Sequence, residues 1–247
     1  MFPFSSKAAF LGDSDFPKSG LEYFKGGRIV LFQNLYQMYS RLAFSNSTDR
    51  CMGLLGLEHR LTRTFQTQGD YGILERYLER SLLWQAANGG GTMRRIAYPQ
   101  DRPVPSWSWM AYTGPISYMD IPFSEASWSE DTFVNPFESG PLRYSKRRNE
   151  GEVTPEFSAF AKDLDIGGVE FHKRVVLDEP SGHDETSMKC VLIGKGKAMA
   201  GEDDSVHYVL LVKPVPGELK GVYERIGVGS LLACHISPGT GQWVSVR

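Results

Sequence analysis

Cysteine is scarce in this chain of 247 residues: Cys51, Cys190 and Cys234 lie far apart and number three. An odd count fits no complete disulfide framework, and no pair has the close spacing of a zinc-ligand set. Long apolar runs are missing too. Stretches such as Val209-Leu210-Leu211-Val212 stop far short of the ~18–20 residues a helix needs to cross a bilayer. Neither charge sign dominates: 27 Lys and Arg stand against 29 Asp and Glu, a formal charge of −2. The basic face of a dedicated nucleic-acid binder is therefore not expected. One cationic run, Lys146-Arg147-Arg148, sits in a polar stretch and reads as a solvated loop. Met1-Phe2-Pro3-Phe4-Ser5 is not a positive segment leading into an apolar core, so no signal peptide is read and a reducing, cytoplasmic setting is expected.

Catalytic signatures are equally thin. No G-x-x-x-x-G-K-[ST] occurs, which excludes P-loop nucleotide chemistry, and no G-x-S-x-G elbow offers a hydrolase nucleophile. Gly227-Val228-Gly229 begins like a dinucleotide turn, but the third glycine and the following helix are absent. It reads as a kink inside a strand hairpin. His59, His172, His183, His207 and His235 never bracket a glutamate at i,i+4, so no helical zinc site is indicated. Neither a metal nor a cofactor is expected.

What is present is an ordinary globular composition, 41% hydrophobic and 12% aromatic. It is enough to bury roughly 70–75% of the unfolded surface. Residues 1–27, with Pro3, Gly12, Pro17 and Gly20, read as an irregular arm. From 28 to 98 the pattern is helical. Ile29, Phe32, Leu35, Tyr36 and Tyr39 share one stripe. Ser47-Thr48-Asp49 offers caps for a short helix with Met52, Leu54, Leu55 and Leu57. Asp70 can cap a third, with Ile73, Leu74, Tyr77, Leu78, Ser81 and Leu82 on one face and Asn88-Gly89-Gly90-Gly91 ending it. Glu75 and Glu79, interleaved with Arg76 and Arg80, read there as a solvated, charge-laced surface.

Residues 99–247 read as β. Ser106-Trp107-Ser108-Trp109 alternates polar with aromatic, as a half-buried strand does. The stretch 120–163, rich in Ser, Pro, Gly and charge, reads as a long insertion. Short β-branched segments follow at 169–177, 188–193, 206–212, 222–226, 230–236 and 243–246. Without a βαβ rhythm, the expected architecture is α+β: N-terminal helices followed by an antiparallel β-barrel or sandwich, in one compact domain.

Several segments resemble the region that follows the catalytic module in fungal heterokaryon-incompatibility (HET) proteins. They are Tyr39-Ser40-Arg41-Leu42, Asp49-Arg50-Cys51-Met52-Gly53-Leu54-Leu55-Gly56-Leu57, Leu82-Leu83-Trp84 and Val104-Pro105-Ser106-Trp107-Ser108-Trp109. Gly114-Pro115-Ile116-Ser117-Tyr118, Val209-Leu210-Leu211-Val212 and Gly221-Val222-Tyr223-Glu224-Arg225-Ile226-Gly227-Val228-Gly229 complete the set. Full-length HET proteins carry an N-terminal module similar to TIR domains, a fold associated with NAD cleavage and self-assembly. Its Ser-Tyr-x-Trp-Gly and Trp-Ile-Asp-type segments are not in this sequence. The resemblance therefore implies an accessory region standing alone, with no NAD cleavage and with matched motifs of structural character.

Two functions from different classes fit these observations. The first is a cofactor-independent cyclase or isomerase of fungal specialised metabolism, Diels-Alder-type, acting on an apolar polyene or terpenoid intermediate. A pericyclic step needs no nucleophile: orientation can contribute several of an attainable ~7–11 kcal/mol, and one aimed hydrogen-bond donor roughly 2–4 more. Trp107, Trp109, Tyr112 and Tyr118 would wall the substrate pocket. Tyr223 and Arg225, on one face of a strand, would be its catalytic polar anchors. The second is a non-enzymatic interaction or regulatory module related to HET signalling, binding a protein partner through a sheet face and the 120–163 stretch. Ring-lined empty space favours the first; a filled core with an exposed apolar patch favours the second.

Overall fold

The computed structural model describes residues 25–87, 93–99, 101–129, 131–138, 155–166, 169–179, 187–196, 205–218, 220–239 and 241–247. Most of the expected N-terminal arm, the Asn88–Gly91 terminator, the Lys146–Arg148 run and His183 lie outside the described residues. Helix α1 (Lys25–Ser40) buries Ile29, Phe32, Leu35 and Tyr36, the stripe its period predicts. Helix α2 (Arg50–Phe65) is longer than its apolar residues alone suggest. Its buried stripe is Arg50, Leu54, Glu58, Leu61 and Phe65, so two charged residues sit in phase with the apolar ones. The turn before it is capped by Asn46, whose side chain accepts from Thr48 N, one residue ahead of the expected caps.

The third helix is largely replaced. Strands β1 (Gly69–Asp70) and β2 (Ile73–Leu74) form a hairpin instead. Its two loop residues, Tyr71 at φ 53° and Gly72 at φ 72°, both adopt the left-handed backbone of a two-residue hairpin turn. Only Leu78–Leu82 is α-helical (α3). The periodicity misleads because Tyr71 and Gly72 take the left-handed backbone of a tight turn, which no helix continues through. The expected Ser106–Trp109 strand is not a strand either. Ser108 caps a 3-10 turn over Trp109–Ala111 by accepting from Met110 N, and its hydroxyl donates to the Tyr71 carbonyl at 2.6 Å. Both serines, like both indoles, are buried, so polar-aromatic alternation here records no exposed face.

Short pairs complete this layer: β3 (Trp84–Ala86) with β6 (Ile116–Tyr118), and β4 (Arg94–Arg95) with β5 (Tyr112–Thr113). Beyond them the chain is mostly sheet. Strand β7 (Ala126–Trp128) lies beside the barrel, followed by β8 (Phe157–Asp163), helix α4 (Val169–Lys173), β9 (Val175–Leu177), β10 (Lys189–Gly196), β11 (Val206–Pro214), β12 (Val222–Leu232) and β13 (Gln242–Val246). Strands β8, β10, β11, β12 and β13 close a five-stranded barrel, with β7 on β10 and β9 on β12 as extra strands. Every pairing is antiparallel except β12–β13. The fold is thus α+β, with helices first and the antiparallel barrel after.

Four expectations along this half change. The first part of 169–177 is helix α4 and only its end is strand. The segments 222–226 and 230–236 merge into one strand ending in a 3-10 turn. Gly227 and Gly229 mark no hairpin: a Cβ on Gly227 would lie 2.4 Å from the Val176 carbonyl oxygen, so glycine admits β9 against β12. The stretch 120–163 is no simple insertion, because it supplies β7, β8 and the buried Phe133, Phe137 and Phe157. The four-residue run Val209–Val212 is apolar throughout because both faces of β11 are covered. Leu210 and Val212 join the core shared with the helices, while Val209 and Leu211 join a second cluster around Phe171. No described helix is long and apolar enough to cross a membrane.

Candidate functional site

The residues expected to wall and arm a pocket are brought together, but as packing. Arg225 is wholly buried and clasps Asp178 with two hydrogen bonds, Nε to Oδ2 at 3.0 Å and Nη2 to Oδ1 at 3.2 Å. Its Nη1 donates to the Leu82 carbonyl at 2.7 Å, and Nη2 donates also to the Trp84 carbonyl. The guanidinium carbon stands 3.4 Å from the centroid of the Trp84 ring. Its backbone N–H donates to Ser106 Oγ at 2.8 Å, and that hydroxyl donates to the Arg247 carbonyl. All three guanidinium nitrogens are thus engaged within the protein. The neighbouring Glu224 pairs separately with Arg95 and Lys213. Burial raises the Asp178 carboxyl above its ordinary range, opposed by the charge and hydrogen bonds of Arg225.

The rings interlock likewise. Trp107 meets Tyr71 and Phe157 edge-on, at centroid separations of 6.4 and 5.9 Å. Trp109 meets Tyr36 at 5.8 Å and Tyr39 at 6.2 Å, and its Nε1 donates to the Gly72 carbonyl. Tyr112 packs on Trp84 at 5.6 Å and donates its hydroxyl to the Arg225 carbonyl. Tyr118 is half-buried beside a void of about 10 Å³, which is water-sized at most. Burial pushes the phenols of Tyr112 and Tyr118 far up, so neither is a proton donor of useful acidity. Tyr223 is buried and accepts a hydrogen bond from Gln242 Nε2. Trp107, Trp109 and Tyr112 thus spend their apolar area on Tyr71, Phe157, Tyr36, Tyr39 and Trp84.

Open space lies elsewhere, on both sides of the segment that joins α1 to α2. One cleft, about 240 Å³, is lined by Leu42, Ala43, Phe44, Ser47, Arg50, Ile96, Thr113 and Gly114. A second, about 220 Å³, lies by Cys51, Met52, Tyr71, Tyr98, Pro99 and Val104, with Asp49, Asp101 and Arg102 also on its lining. Leu42 and Met52 are more than half exposed here. Arg50, only 3% exposed, stands with its guanidinium carbon 5.0 Å from the Trp109 ring centroid. Its Nη2 donates to the carbonyls of Ser40 at 3.3 Å and Gly114 at 3.1 Å. Cys51 donates its thiol to Tyr98, whose hydroxyl donates to the Met110 carbonyl.

Sequence reasoning missed Arg50 and Asp178. For Arg50 a signal was present: it lies in phase with Leu54, Leu61 and Phe65, so the helical stripe itself places it inward. For Asp178 none was, since its partner is 47 residues away in sequence. Among the described residues no group of His, Cys, Asp and Glu could hold a metal ion. No protein-family model, no curated protein and no solved structure matches this chain.

Proposed function

We propose that the chain is a non-enzymatic interaction module related to HET-type incompatibility signalling, and that it meets a HET-type protein partner through the face around the α1–α2 connection. One observation carries this reading. The sequence segments that resemble HET proteins meet in the buried lattice around Arg225 and Arg50, while exposed Leu42 and Met52 flank open clefts. Motifs spent on packing make a scaffold, and exposed apolar side chains beside concave surface make a contact face. The cyclase reading needs a ring-walled cavity, and among the described residues Trp107, Trp109 and Tyr112 pack against other rings instead.

Co-purification with a panel of HET-type signalling proteins tests the proposal. A complex should form, and Leu42→Asp combined with Met52→Asp should abolish it without lowering the melting temperature. No complex across the panel overturns the reading. So does any change in product ratios when the protein is incubated with polyene or terpenoid intermediates, relative to a protein-free control.

A further inference from the structure

Two arginines are buried to almost the same degree, and they differ in one respect. Arg225 has a carboxylate clasped bidentately. Arg50 has no carboxylate partner among the described residues, and its buried Nε has no hydrogen-bond partner there. Its Nη2 is used on two backbone carbonyls. Burying an unpaired guanidinium costs several kcal/mol unless something compensates it. Arg50 lines the cleft of about 240 Å³. Arg50 is also the first residue of the 16-residue helix α2, directly after its N-cap Asp49, whose side chain makes no capping hydrogen bond.

We propose that this cleft is a binding site for a small monocarboxylate, with the Arg50 guanidinium receiving the carboxylate and Leu42, Ala43, Phe44 and Ile96 covering a short apolar body. The lining selects within the anions. Ser47 and Thr113 are the hydroxyl-bearing side chains that line the cleft with Arg50. Thr113 Oγ1 already donates to the Arg94 carbonyl, which leaves the Ser47 hydroxyl beside the guanidinium: enough for the two oxygens of a carboxylate and too little for the wider oxygen shell of a phosphate. The volume lies below the range of drug-sized pockets, which restricts the body to a few carbons or one ring. The inference goes beyond the docking reading and does not rest on it, because the occupant is a free small molecule.

The test is a titration of the whole protein, without any partner, at constant ionic strength. Isobutyrate and benzoate are the probes; isobutyramide and inorganic phosphate are the controls. Binding is read from the backbone amide resonances of Ser47, Thr113 and Gly114 and from the fluorescence of the protein's tryptophans. Both carboxylates should saturate and shift those amides, and the neutral amide should bind roughly tenfold to a hundredfold more weakly, as loss of a charged hydrogen bond implies. Arg50→Gln should remove the preference for the carboxylate. Because that variant removes a buried group, Ala43→Trp serves alongside it: Ala43 is exposed, and a large ring there should block the cleft at unchanged melting temperature. Equal response to isobutyrate and isobutyramide, binding unaffected by Ala43→Trp, stronger binding of phosphate than of isobutyrate, or no saturation at all each overturns the proposal.

Discussion

Arg225 and Asp178 form a closed electrostatic unit. Their side chains are 0% and 1% exposed, they are joined by two hydrogen bonds, and the guanidinium donates also to the carbonyls of Leu82 and Trp84. This one pair ties β12 to the loop after β9, to the end of α3 and to β3. Removing either partner strands the other charge away from water. Arg225→Met and Asp178→Leu should each cost about 3–5 kcal/mol, and the double variant clearly less than their sum. Urea unfolding of the three variants measures this. Strict additivity would mean the two residues do not act as a unit.

Trp107 and Trp109 are core residues, so truncation to alanine should lower stability by about 3–5 kcal/mol each. Thermal melts and near-ultraviolet circular dichroism report it together. A Trp107→Ala protein as stable as the parent would show that the ring fills nothing.

Two glycines give opposite expectations for the same substitution. At Gly72 the backbone is left-handed and a Cβ would lie 2.2 Å from Trp109 Nε1. Gly72→Ala should therefore destabilise by more than the ~1–3 kcal/mol typical of overpacking. At Gly56, exposed within α2, a Cβ meets nothing within 4 Å. Gly56→Ala should stabilise by about 0.5–1 kcal/mol through helix propensity. Denaturant midpoints of the pair decide both.

His207 supplies a pH dependence. Burial lowers its pKa first, and Lys195 and Lys162 lower it further, while backbone hydrogen bonds at Ser205 and Leu231 partly oppose this. With the folded value below the ordinary one near 6.5, the unfolded chain takes up the proton first. The neutral imidazole's contribution is then present above pH ~6.5 and is lost as the pH falls from there through the lower folded value. His207→Gln should flatten the decline of the urea midpoint between pH 7 and 5. An unchanged slope would assign that decline to other groups.

Much of the architecture was legible from residue pattern, and the failures have physical causes. Helix α1 and strands β10, β11 and β13 follow from period and β-branching, because each is covered in the way its pattern records. Ala159 and Ala161 hid β8: small residues with weak β preference, both fully buried, form the inward face of this strand. Over 70–82 the turn chemistry of Tyr71-Gly72 prevailed over a helical period. The candidate site was legible only in part. Aromatic enrichment marked the right residues as important without telling filled space from empty space, a distinction set by contacts distant in sequence.

Strand β13 is the single stave joining β8 to β12, pairing Gln242–Val246 with Phe157–Ala161 on one side and Ser245 and Val246 with Val222 and Tyr223 on the other. Any excursion that lifts these few residues unseals the ring and presents two raw strand borders at once, each ready to template a foreign chain. Resistance to clumping therefore resides in one short ribbon, held in place by the knot of bonds between Ser106, Arg225 and Arg247.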